Sequence, residues 1–152
     1  MSVPYRVRRA VADDVETIVA FTADEARESE GIAPDRSTIA RGVAAAFAEP
    51  ARALYWVAES LDGAVVAHSS IVTEWSDFHG ADYWWVQSLY IEPAHRGTGL
   101  VGLLLDTLAD AARAAGTRDL RLYAHEGNAR ALQAYARNGF LRAPYAIMTR
   151  EL

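Results

Sequence analysis

The period of the apolar positions changes several times along the chain, and each change marks an element. Tyr5 to Ala10 alternates Tyr and Val with Arg, the pattern of an edge or half-buried strand. Val15, Ile18, Val19, Ala23 and Ala26 then recur at helical intervals, with Asp13 and Glu16 at capping-box spacing ahead of them. A break at Gly31 to Pro34 separates this helix from a second, whose stripe is Ile39, Val43, Ala46 and Phe47 and which Pro50 ends. Leu54 to Glu59 and Ala64 to Trp75 are rich in Val, Ile and aromatic residues and flank Asp62-Gly63, a hairpin-turn dipeptide. A polar segment, Ser76 to Asp82, leads into a further strand at Tyr83 to Ile91.

The second half reads as two more helices and two more strands. Leu100, Leu103, Leu104, Leu108, Ala111, Ala112 and Ala115 make a helical stripe that Gly116 closes, and Leu120 to Ala124 is a short strand. Asn128 opens a helix carrying Ala131, Leu132, Tyr135 and Ala136, closed by Asn138-Gly139, and Tyr145 to Glu151 predicts a last strand. The order β-α-α-β-β-β-α-β-α-β predicts an α/β fold in one domain over residues 1–152. Its sheet is expected to be mixed and mostly antiparallel, with helices on both faces.

Composition narrows the chemistry. The 152 residues include 15 basic and 20 acidic side chains, a formal net charge of −5, and 51% hydrophobic residues. That length and apolar content suit a single core that folds without staples. There is no cysteine, which excludes disulfides, thiolate metal sites and a thiol nucleophile. Every basic residue is Arg, so a phosphate-loop lysine and a Schiff-base lysine are excluded as well. The acidic balance argues against nucleic acid as a partner. Residues 1–10 lack an apolar core of the kind a secretory signal needs, and no stretch is apolar enough to span a membrane, so a cytoplasmic protein is expected. The four histidines, at 68, 79, 95 and 125, lack a ligand spacing, and no metal is expected.

Chemistry concentrates in Ile91-Glu92-Pro93-Ala94-His95-Arg96-Gly97-Thr98-Gly99-Leu100-Val101-Gly102, a strand exit that runs through glycines into a helix. Glycines there let backbone amides approach a ligand, and the helix N-terminus offers unpaired donors to an anion, above all phosphate. Gly97, Gly99 and Gly102 also satisfy the dinucleotide fingerprint. Its context fails, because a proline-containing segment separates them from the strand and too little chain follows for a doubly wound domain.

The same segment resembles the acyl-CoA pyrophosphate loop, Arg-Gly-x-Gly-x-Gly/Ala, of the GNAT superfamily of N-acetyltransferases. Asn128, Ala131, Tyr135 and Gly139-Phe140 resemble that superfamily's second motif. Val101 departs from the loop pattern, standing where Gly or Ala is usual, with Gly102 following.

The resemblance implies acetyl-CoA as cosubstrate and a direct transfer to an amine. Backbone groups of Leu89 and Ile91 would pair with the pantetheine arm as an added strand, the Leu89 N–H holding the thioester oxygen. Arg96 and the amides of Gly97, Thr98, Gly99, Leu100, Val101 and Gly102 would take the pyrophosphate. Asn128, also a preferred helix N-cap, would bond the cofactor arm. Tyr135 would be the general acid that protonates the departing thiolate; its competing role is ordinary core.

The base stays open. In some relatives a Glu occupies the position matching Gln87, which cannot titrate, leaving Glu74, Asp77, His79, Glu92 or a held water. An acceptor would enter past the acidic Asp24, Glu25, Glu28, Glu30 and Asp35 and the aromatic Tyr55, Trp56, Trp75, Phe78, Trp84 and Trp85, walls that suit a cationic amine. Glu28, Glu74, Trp85 and Gln87 are the substrate-contact candidates. A homodimer is possible. The rival functions are a non-catalytic acyl-CoA-binding regulatory module and a dinucleotide-dependent oxidoreductase.

Overall fold

The computed structural model describes residues 3–152; Met1 and Ser2, which head the segment read above as no secretory leader, lie outside the described residues. Strand β1 (Tyr5–Arg9) is followed by helices α1 (Val15–Glu30) and α2 (Arg36–Ala48). Strands β2 (Leu54–Ser60), β3 (Val65–Ser76) and β4 (Ala81–Ile91) then form a meander. Helix α3 (Leu100–Ala114), strand β5 (Asp119–Leu122) and helix α4 (Ala129–Arg137) complete the order. The sheet runs β1-β2-β3-β4-β5, antiparallel except for the parallel β4–β5 pair. One parallel pair is too little for a doubly wound dinucleotide fold.

Helices cover both faces. Leu100, Leu104, Leu105 and Leu108 of α3 bury against Trp56, Ala58, Ile71, Trp84, Val86 and Ile91 on one face. Ile18 and Val19 of α1 and Val43 of α2 pack with Val57 on the other. Helix α2 starts as its sequence dictates, the Asp35 carboxylate accepting from the Ser37 and Thr38 amides.

Two local expectations differ from the structure. Asp13 and Glu16 do not cap α1. Asp14 instead accepts from the Val11 amide at 2.7 Å and takes both terminal nitrogens of Arg8, at 2.8 and 3.0 Å, which holds its carboxyl below the usual range. The expected strand at Tyr145 to Glu151 has no ladder partner among the described residues. Pro144 enters it without an N–H, and Tyr145, Ile147 and Met148 remain exposed.

Strand β4 carries the irregularity that shapes the site. Ser88 pairs with Ser70 but Val86 pairs with Ile71, so Gln87 is an extra residue without a partner on β3. A bulge of this kind reverses the side-chain alternation. Trp84 and Val86 point to the α3 core before it, and Leu89 and Ile91 do so after it, an odd number of residues on.

Candidate functional site

Strand β5 accompanies β4 only from Tyr83 to Val86, paired with Asp119 to Leu122. Beyond the bulge β4 continues without it, and the two strands diverge into a cleft of about 700 Å³. The free edge of β4, the glycine loop and start of α3, and α4 with Asn128 and Tyr135 line that cleft.

Two loop glycines have a backbone need. Gly97 and Gly99 hold φ at 73° and 87°, left-handed values that deliver the chain to α3 with the amides of Leu100, Val101 and Gly102 unpaired inside the helix. Gly102 serves a different purpose, since a Cβ there would stand 3.0 Å from the Asn138 side-chain oxygen at the end of α4. The small residue that the loop pattern wants at position 101 is thus displaced by one and used for helix packing. Val101 itself packs on the α3 core while also lining the cleft.

Most candidates from the sequence meet at this cleft. Leu89, Ile91, Arg96, Gly97, Gly99, Leu100, Val101, Gly102, Asn128, Tyr135, Glu28 and Gln87 all line it. Thr98 does not; its hydroxyl donates to the His95 carbonyl at 2.7 Å and tightens the loop. Arg96 donates through Nε to the Ile91 carbonyl at 2.8 Å and pairs with Glu28 at 2.6 Å. Asn128 accepts from the Ala131 amide at 3.2 Å, as an N-cap, which leaves its amide nitrogen to face a ligand. Burial raises the Tyr135 phenol above its ordinary value, and the charge of Glu25 raises it further, so the hydroxyl keeps its proton at neutral pH.

Glu74 and Trp85 line neither cleft. Beyond the bulge toward the hairpin tip, Glu74 is exposed opposite Tyr83, and Trp85 packs against Tyr123 with the rings tilted at 57°. Asp77, His79 and Glu92 are likewise absent from the cleft walls, with His79 engaged by Tyr83 at 2.8 Å.

A second, smaller cleft of about 460 Å³ opens between α1, α2 and the sheet, with Tyr55, Ser70, Gln87 and Ser88 on its floor. Gln87 and Glu25 line both clefts. Glu25 was legible in the sequence only as one member of an acidic wall, yet its Oε1 accepts the Leu89 N–H at 3.1 Å. The available signal was its position on the helix: it falls at i+7 from Ile18 and i+4 from Phe21, a lone carboxylate in line with the buried face of α1.

The model of the acetyltransferase (GNAT) family matches residues 15–140. The chain belongs to that family. A solved structure of a possible acetyltransferase from Clostridium difficile 630 is similar, with 27% identity, 97% of each chain covered and a TM-score of 0.90. A predicted acetyltransferase with acetyl-CoA from Clostridium acetobutylicum shares the fold at 20% identity, 96% of each chain and a TM-score of 0.76. So does a ribosomal-protein-alanine N-acetyltransferase from Brucella melitensis biovar Abortus 2308, at 20% identity, 97% and 99% coverage and a TM-score of 0.78. No curated protein matches the chain. Among the described residues no helix is long and apolar enough to cross a membrane, and no cluster of His, Asp and Glu has the makings of a metal site.

Proposed function

We propose that the chain transfers an acetyl group from acetyl-CoA to a primary amine of a small molecule or peptide, by direct attack while both are bound, in the cytoplasm. The observation that carries this reading is the divergence of β4 from β5, which leaves the Leu89–Ile91 edge facing a cleft that also holds the glycine loop and Tyr135. An extended pantetheine arm fits such an edge as an added strand. The amides at the start of α3 suit the pyrophosphate, with Arg96 beside them. The C. acetobutylicum structure with acetyl-CoA, of the same fold, supports the choice of cosubstrate.

In the transfer the Leu89 N–H would hold the thioester oxygen as charge develops on it, a contribution of about 2.7–4 kcal/mol for a well-aimed donor. Tyr135 gives its proton to the thiolate as the C–S bond breaks. With a thiol near ~8.5 and a phenol at or above ~10 that donation is uphill by at least about 2 kcal/mol, so it is completed by the proton that the acylated nitrogen gives up to the phenoxide. The acceptor enters by the smaller cleft, where Tyr55 and the carboxylates of Glu25 and Glu30 meet a cation.

Tyr135→Phe tests the assignment, because it keeps the ring that packs on Phe140 and removes only the hydroxyl. Its turnover of acetyl-CoA with a panel of primary amines should fall at least about 100-fold, with acetyl-CoA affinity little changed. Undiminished turnover would remove Tyr135 from the mechanism. Tight acetyl-CoA binding by the unaltered protein with no amine acetylated would favour the non-catalytic binding module.

A further inference from the structure

The transfer needs a proton acceptor, and the sequence offered none at the site. An alkyl amine near ~10.4 must be deprotonated at a cost of about 4.6 kcal/mol at pH 7 before it attacks. Two carboxylates, Glu25 and Glu30, line both clefts, and of these Glu25 reaches the edge of β4. The Glu25 side chain is only 23% exposed; Oε1 accepts from Leu89 N–H at 3.1 Å and Oε2 lies 3.9 Å from His68 Nε2. It therefore occupies the donor that the functional reading gives to the thioester oxygen.

Resting on that reading, we infer that Glu25 is the proton acceptor of the transfer, held on the Leu89 amide until the thioester carbonyl takes that donor. One N–H cannot fully serve two acceptors, so acetyl-CoA displaces the carboxylate toward the smaller cleft, along the path of the amine. The ammonium then gives one proton to Glu25, and solvent carries it away. The nitrogen lone pair bonds to the thioester carbon, the C–S bond breaks onto sulfur, and the thiolate takes the Tyr135 proton. The surplus proton on nitrogen restores the phenol by way of Glu25 and solvent, leaving an amide, a thiol and one released proton.

The surroundings suit a group that must alternate between charged and neutral. Burial pushes the Glu25 carboxyl up to about 7, with Glu30 on its own helix adding to the rise and the Leu89 amide opposing it. Among the described residues no cation holds it ionised. On β3, His68 is fully buried and held neutral, down to about 3. Arg96 of the loop is paired with Glu28 of α1, and Arg52 ahead of β2 with Glu49. Tyr55 of β2, Tyr90 of β4 and Tyr135 of α4, which line the clefts with it, are phenols pushed upward and uncharged. His95, Tyr123, His125, Arg130 and Arg137 also line the larger cleft, and among the described residues none of them bonds or pairs with Glu25.

The test compares wild type with Glu25→Gln by calorimetric titration of acetyl-CoA and of free CoA, which lacks the carbonyl, at pH 6 and pH 8, together with turnover across that range. In wild type the preference for acetyl-CoA over CoA should weaken by up to about tenfold from pH 6 to pH 8, following the fraction of Glu25 that is ionised. In Glu25→Gln that pH dependence should vanish, acetyl-CoA should still bind, and turnover with whichever of spermidine, tyramine or a glycyl peptide wild type acetylates should fall about 10²–10⁴-fold. A Glu25→Gln protein with wild-type turnover, or one that loses acetyl-CoA binding, overturns the inference. Wild type that binds no acetyl-CoA overturns the functional reading and the inference together.

Discussion

Gly99 shows at single-residue scale how the loop is built. Its φ of 87° is left-handed, and a Cβ there would meet only Val3 Cγ2 at an ordinary 3.7 Å, so an added side chain would be strained by the backbone and not by a clash. Gly99→Ala should lower stability by about 1–2 kcal/mol in urea unfolding and weaken acetyl-CoA binding, since both follow from distorting the amides that open α3. Unchanged unfolding would contradict the left-handed assignment. At this scale the sequence was informative where chemistry and spacing coincide, bringing Arg96, Gly97, Gly99 to Gly102, Asn128 and Tyr135 to one cleft. It was uninformative where position decides. Glu74 and Glu25 are the same residue type in segments of similar polarity, and only the fold puts one on an exposed hairpin and the other at a cleft junction.

At the scale of elements, periodicity revealed four helices and five strands because each turns an apolar side toward a neighbour, wholly buried in α1 to α3 and in β2 to β4 and half-buried in β1, β5 and α4. The sixth predicted strand had the right residues and no ladder: β content in Tyr145 to Glu151 describes a surface that fits a sheet and does not supply one. The bulge at Gln87 was invisible for the opposite reason. A one-residue insertion leaves the apolar and β-branched character of β4 intact, and its effect is on the partner strands. It reverses which side chains meet α3, and with β5 ending at Leu122 it leaves the edge on which the cosubstrate reading depends.

Across the whole molecule, two buried titratable groups set opposing pH limits. His68 is held neutral, from 6.5 down to about 3, so its contribution to stability is full above about 6.5 and is lost as pH falls toward 3. Glu25 is raised from 4.5 to about 7, so its contribution is full below 4.5 and is lost as pH rises through 7. The two effects oppose each other between pH 4.5 and 6.5, so the wild-type melting temperature should be nearly level there and fall only as pH approaches 7, whereas in Glu25→Gln it should rise with pH up to about 6.5 because His68 then acts alone. The unfolding free energies of the two proteins should diverge by at most about 3 kcal/mol across the window. Parallel curves from pH 5 to pH 8 would show that Glu25 is not buried in solution as it is here.

The central claim is that the diverging strands and the glycine loop form an acyl-CoA site, and thermal unfolding in parallel with acetyl-CoA, CoA, NAD and ATP tests it most directly. A ligand at 100 times its dissociation constant adds about 2.7 kcal/mol, roughly 5–11 °C for a domain of this size. The account predicts that shift with acetyl-CoA and CoA and none with NAD or ATP. A shift with NAD alone, or with no ligand, would contradict it.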